Sequence, residues 1–129
     1  GKAAGGSSGK ECLQINVKDN SAFGSFVQIP AVDGTIEKIE VTIREPYKGR
    51  AIGIFPVGYT YTKDTLDKMK EQLAKDAIAI SNETPSDVNN NEPFTFVIDN
   101  LSAKNLTQFS IFPTLGAVSI TAITVTYSK

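Results

Sequence analysis

The chain reads as a mainly all-β protein, a β-sandwich of about seven or eight antiparallel strands with one amphipathic helix near residues 64–76. Three features predict this. Apolar and polar residues alternate with period two in segment after segment. Pro, Gly, Asn and Asp punctuate those segments at short intervals. A single stretch breaks the alternation, placing Leu66, Met69, Leu73, Ala74 and Ala77 at spacings of three and four.

The elements follow in order. The opening "GKAAGGSSG", residues 1–9, is Gly/Ser-rich and reads as a flexible linker, leaving 10–129 as a single domain. In "CLQINVK" Leu13, Ile15 and Val17 share one face of a strand. "FGSFVQIP" forms the next strand, which Pro30 closes before the turn signal "VDG". "GTIEKIEVTI" puts Ile39, Val41 and Ile43 on one side and Lys38, Glu40, Thr42 and Arg44 on the other, a strand with one wet face. "EPYKG" interrupts, and "RAIGIFPVG" resumes extended structure up to Pro56. The helix comes next, capped by Asp64 or Thr62 and ending near Asp76. "AIAIS" (77–81) is a short extended piece, and "NETPSDVNNNEP" is a polar loop. "FTFVID", "LTQFSIFP" and "VSITAITVTY" are the closing strands.

Two of these segments say nearly the same thing. Ile36, Ile39, Val41 and Ile43 are echoed by Ile120, Ile123, Val125 and Tyr127. An odd offset of three would throw Ile36 and Ile120 onto the opposite face from the triplets that follow. A bulge or bend just after Ile36 and another just after Ile120 would restore one apolar face to each strand. Both strands are then core strands, and the chain ends approach each other.

Composition excludes several classes of function. Lys and Arg total 13 against 14 acids, with Arg44 and Arg50 the only arginines, so no basic stripe suits nucleic acid. Histidine is absent, which removes imidazole triads and the usual zinc sites. Cys12 is the single cysteine, so no disulfide forms within the chain, and a plain, partly buried thiol is expected there. No apolar run approaches the roughly 18 residues of a membrane span. The start at Gly1, without Met, leads to the expectation of an exported protein whose signal has been removed. A monomer without cofactor or metal is expected.

"GSFVQIPAVDGTIEKIEVTI" and "EPFTFVIDNLSAKNLTQFSIFPTLGAVSITAITVTYSK" together resemble the galactose-binding-like jelly-roll domains of exported bacterial cell-envelope proteins. The matching positions are Ile29, Pro30, Gly34, Ile36 and Ile39 early, and Ile120, Ile123, Val125 and Tyr127 late, over roughly half the chain. The helix departs from the pattern, since such domains carry strand and loop there. The resemblance implies a jelly roll and a non-catalytic module working near polysaccharide-handling machinery. It transfers no functional residue, because the shared positions are structural.

Sugar binding requires aromatic faces for stacking and amides, carboxylates or guanidinium groups for hydroxyls. With no Trp, the candidates are Arg44, Tyr47, Arg50, Tyr59 and Tyr61, in or near the loops around the middle strand. The competing reading makes Tyr59 and Tyr61 packing residues and leaves the arginines solvated. Asp87, Asn89 and Asn91 alternate like the start of a calcium loop, but the turn Gly and the distal bidentate Glu are missing, so a polar loop is expected. Glu37, Glu40, Glu45, Asp33 and Asp99 show no clustering of the kind a glycosidase needs. Asn82, Asn100 and Asn105 each begin an Asn-X-Ser/Thr triplet, which matters only in a secreted eukaryotic protein. The expected function is an exported binding or accessory module for polysaccharide. The alternative is a structural or adhesion module that docks on a cell-surface protein or neighbouring domain through a sheet face or edge.

Overall fold

The computed structural model describes the backbone of residues 4–5 and 11–14, and residues 15, 26–63 and 65–129 in full. Expectations for the Cys12 side chain, for the strand through 16–18, for 23–25 and for Asp64 fall outside these. Nine strands are described: β1 (Ala4–Gly5), β2 (Glu11–Ile15), β3 (Val27–Gln28), β4 (Thr35–Arg44), β5 (Ile52–Phe55), β6 (Ala79–Ile80), β7 (Phe94–Ile98), β8 (Ser110–Pro113) and β9 (Val118–Ser128). One helix, α1 (Leu66–Asp76), lies between β5 and β6, and a single 3-10 turn covers Ser102–Lys104.

The strands form two antiparallel sheets, ordered β1-β2-β9-β4-β7 and β3-β8-β5-β6. Pairing has a simple logic. β2 pairs with β9, β3 with β8, β4 with β7, and β5 with β6. The second half of the chain therefore runs back along the first as one long hairpin, rolled so that successive pairs fall in opposite sheets.

The two similar phrases are sheet neighbours. β4 and β9 pair along nearly their whole length, with Ile39 opposite Val125 and Val41 opposite Ile123. Register shifts once between Ile36 and Lys38, where Glu37 is the extra residue, and once opposite Thr42/Ile43, where Thr121 is extra. These are the two bulges that the odd spacing predicts. They let Ile36, Ile39, Val41 and Ile43 all reach the buried face. The partner strand is wetter than expected. Ile123 and Val125 are only half-buried and Tyr127 is exposed. β2 pairs with β9 only at Val118–Ile120, so among the described residues the rest of β9 has a strand neighbour on one side alone.

The core between the sheets gathers Ile36, Ile39, Val41, Ile43, Ile52, Ile54, Phe96 and Ile111. Every residue of β5 and β8 is buried, because that sheet is covered on both faces. Phe55 and Phe112 point away from the sandwich and pack with Met69 and Leu73 of α1 and with Tyr61. The helix thus lies over a sheet face as a third layer. Its N-cap is Thr65, whose Oγ1 accepts from the Lys68 N–H, in place of the expected Asp64 or Thr62. Ala74, expected on the apolar stripe, is exposed, because Met69 and Leu73 fill the contact with the two phenylalanines.

Ala4–Gly5, within the 1–9 segment read as a linker, pairs with Glu11–Cys12. Ladder pairing uses backbone groups, so a segment without an apolar alternation can still pair as a strand.

Candidate functional site

Three of the five candidate residues converge where β4 ends. Arg44 is its last residue, and Glu45 follows in the left-handed region at φ 48°. That conformation is disfavoured for a residue with a Cβ and turns the chain sharply away from the sheet. Pro46 is buried, Tyr47 projects with 61% of its surface exposed, and Gly49 at φ 68° completes the reversal into Arg50. Gly adopts this φ without steric cost.

The turn is held from beneath by Thr84, which is 3% exposed. Its hydroxyl donates to the Tyr47 carbonyl and accepts from the Arg50 N–H (2.8 Å). Backbone bonds between Thr84 and both Gly49 and Arg50 run alongside. Asn90 adds a tie from its Nδ2 to the Pro46 carbonyl at 3.2 Å. The loop that faintly resembles a calcium site is therefore a brace. Asn89 accepts the Asn91 N–H through its own side chain, and among the described residues no three His, Cys, Asp or Glu side chains cluster to hold a metal.

The opposite wall is the start of β9. Arg50 donates from Nε to the Ala117 carbonyl at 3.2 Å and from Nη1 to the Lys48 carbonyl at 3.5 Å. Its guanidinium carbon sits 5.8 Å from the centre of the Tyr47 ring, within cation–π range. Gly116 permits this pose, since a Cβ there would stand 2.8 Å from Arg50 Nε. Arg44 pairs in register with Ser119 on the same wall. Between the walls lies a cavity of about 200 Å³ lined by Arg44, Glu45, Tyr47, Arg50, Ala117 and Ser119, among others. That is smaller than the roughly 300–1,000 Å³ of drug-sized sites and matches a single small ring.

Tyr59 and Tyr61 sit elsewhere, in the cluster beneath α1. Tyr61 is 1% exposed and offers no face to a ligand. Tyr59 stacks on Phe55 at 4.6 Å and donates its hydroxyl to Asp76 Oδ2 at 2.8 Å. Burial, then the hydrogen bond to the Asp76 carboxylate, then the negative charge of Asp76, push the Tyr59 hydroxyl above the usual tyrosine range. The packing reading fits both residues. A wider groove of about 770 Å³ runs beside them, lined by Thr62, Lys63, Lys68, Glu71, Gln72, Lys75 and Asp76, with no aromatic residue among the described lining.

Sequence reasoning missed Thr84, Gly116, Ala117 and Ser119. Only the Thr-Pro pair at 84–85 and the Gly at 116 signalled turns, and nothing local says which loop each turn supports. No protein-family model, curated protein or solved structure matches the chain. The class defined by the fold is a two-sheet all-β sandwich with one helix. Among the described residues, no helix is long and apolar enough to cross a membrane.

Proposed function

We propose that this protein is a non-catalytic, exported carbohydrate-binding module of jelly-roll type, with Tyr47 as stacking platform and Arg44 and Arg50 as hydrogen-bond donors. The observation that carries it is the exposed Tyr47 ring beside an Arg50 guanidinium held by backbone carbonyls, both on a braced turn above a ring-sized cavity. A platform already in place saves the ordering entropy that a mobile loop would lose on binding. The rolled-hairpin pairing of β2–β9 supports the jelly-roll reading, as does the core pattern shared with galactose-binding-like domains. The exposed Tyr47 ring is the one large apolar side chain exposed among the described residues that lines this cavity, which favours the loop site over the docking alternative.

Titration against a glycan panel, followed by tyrosine fluorescence in this chain without Trp, tests the proposal. A saturable response lost in Tyr47→Ala but kept in Tyr59→Phe is the expected result. Silence across the panel, or a response unaffected by Tyr47→Ala, overturns it.

A further inference from the structure

We infer that the site selects a sugar bearing a carboxylate, a uronate unit of an acidic oligosaccharide, over its neutral counterpart. This rests on the carbohydrate-binding reading above and names its ligand class. The first ground is charge. Among the described lining residues, Arg44 and Arg50 stand with one acidic residue, Glu45. The chain as a whole is slightly acidic, so this concentration of the only two arginines at one cavity is local and runs against the net charge.

The second ground is the geometry of Arg50. Its contacts to Ala117 and Lys48 engage Nε–H and one Nη1 hydrogen. A guanidinium has five N–H groups in a planar fork, so neither bond occupies the Nη2 edge. Gly116 leaves room for the Nε side of the group, where a Cβ would clash. A planar donor held on one edge is suited to the two oxygens of a carboxylate. Neutral hydroxyls would gain less from it, because charge-assisted bonds are about twice as strong as neutral ones. A uronate carries its carboxylate on a ring carbon at the edge of the sugar, which leaves the faces of the ring available for stacking.

The test uses oligomers of galacturonate, of glucuronate-containing repeats and of mannuronate/guluronate, each beside its methyl ester, together with neutral galacto-, gluco-, manno- and xylo-oligomers. Calorimetry on the full chain is the readout. The ester keeps the ring and removes the charge. At least one acid should bind about tenfold or more tighter than its ester, with affinity falling as salt rises. Gly116→Ala, which displaces Arg50 while leaving its charge, should weaken the acid selectively, provided its circular dichroism matches the parent. Glu45→Gln should tighten the acid by about two- to fivefold by relieving repulsion at the rim, and so widen the preference for acid over ester. Equal binding of acid and ester, or binding of neutral oligomers alone, overturns the inference and leaves the carbohydrate-binding reading standing. Binding of nothing in the panel overturns both.

Discussion

At the scale of single residues, the site depends on side chains that do not touch a ligand. Thr84 is the clearest case, since one buried hydroxyl serves both ends of the Tyr47–Arg50 turn. Thr84→Val keeps the shape and leaves the part-buried Arg50 N–H and Tyr47 carbonyl without this partner. It should lower stability by about 1–3 kcal/mol, measured by urea unfolding, and weaken glycan binding. An unchanged unfolding midpoint would show that water replaces the hydroxyl. Because that hydroxyl is engaged, the Asn82-Glu83-Thr84 triplet has a structural explanation, with Asn82 Oδ1 also accepting the Val97 N–H at 3.0 Å. Tyr59 supplies a pH dependence. Its hydroxyl ionises above the ordinary value in the folded protein and near about 10 when unfolded. The stabilisation is therefore complete below about pH 10 and is lost as pH rises through the folded value. Melting temperature should fall more steeply with pH above about 10 in the parent than in Tyr59→Phe, and parallel curves would refute this role.

Among elements, β4 and β9 show how spacing becomes geometry. Each strand carries one extra residue, and each extra residue keeps an outlying isoleucine on the buried side. Where the pair begins, Gly34 lies so close to the Ser128 carbonyl that an added Cβ would collide with backbone rather than with a movable side chain. Gly34→Ala should therefore cost about 1–3 kcal/mol, read as a lowered melting temperature, whereas a neutral result would mean that the end of β9 shifts freely. The helix behaves differently. Its two buried residues, Met69 and Leu73, sit four apart, and the sheet beneath it decides which side is apolar. That is why Ala74 could not be assigned from its own neighbourhood.

For the whole molecule, the rolled hairpin explains why the site escaped full detection in the sequence. The cavity joins residues 43–50 to 117–119, and its brace comes from 84 and 90. These three segments meet because β9 returns beside β4 and the loop before β7 folds under the turn at its end. Arg44, Tyr47 and Arg50 were legible as candidates, being the only arginines and a tyrosine in one turn. Their separation from Tyr59 and Tyr61 was not, because burial depends on what α1 covers. The wet and dry faces of β4, both bulges and the helix ending at Asp76 follow from the sequence alone, since alternation and three-to-four spacing are properties of neighbouring residues, whereas the wetter face of β9 and the double burial of β5 and β8 do not. The partner of each strand, the sheet face under the helix and the residues holding Arg50 were decided only in the tertiary structure. Those depend on contacts between segments tens of residues apart, for which local periodicity carries no address.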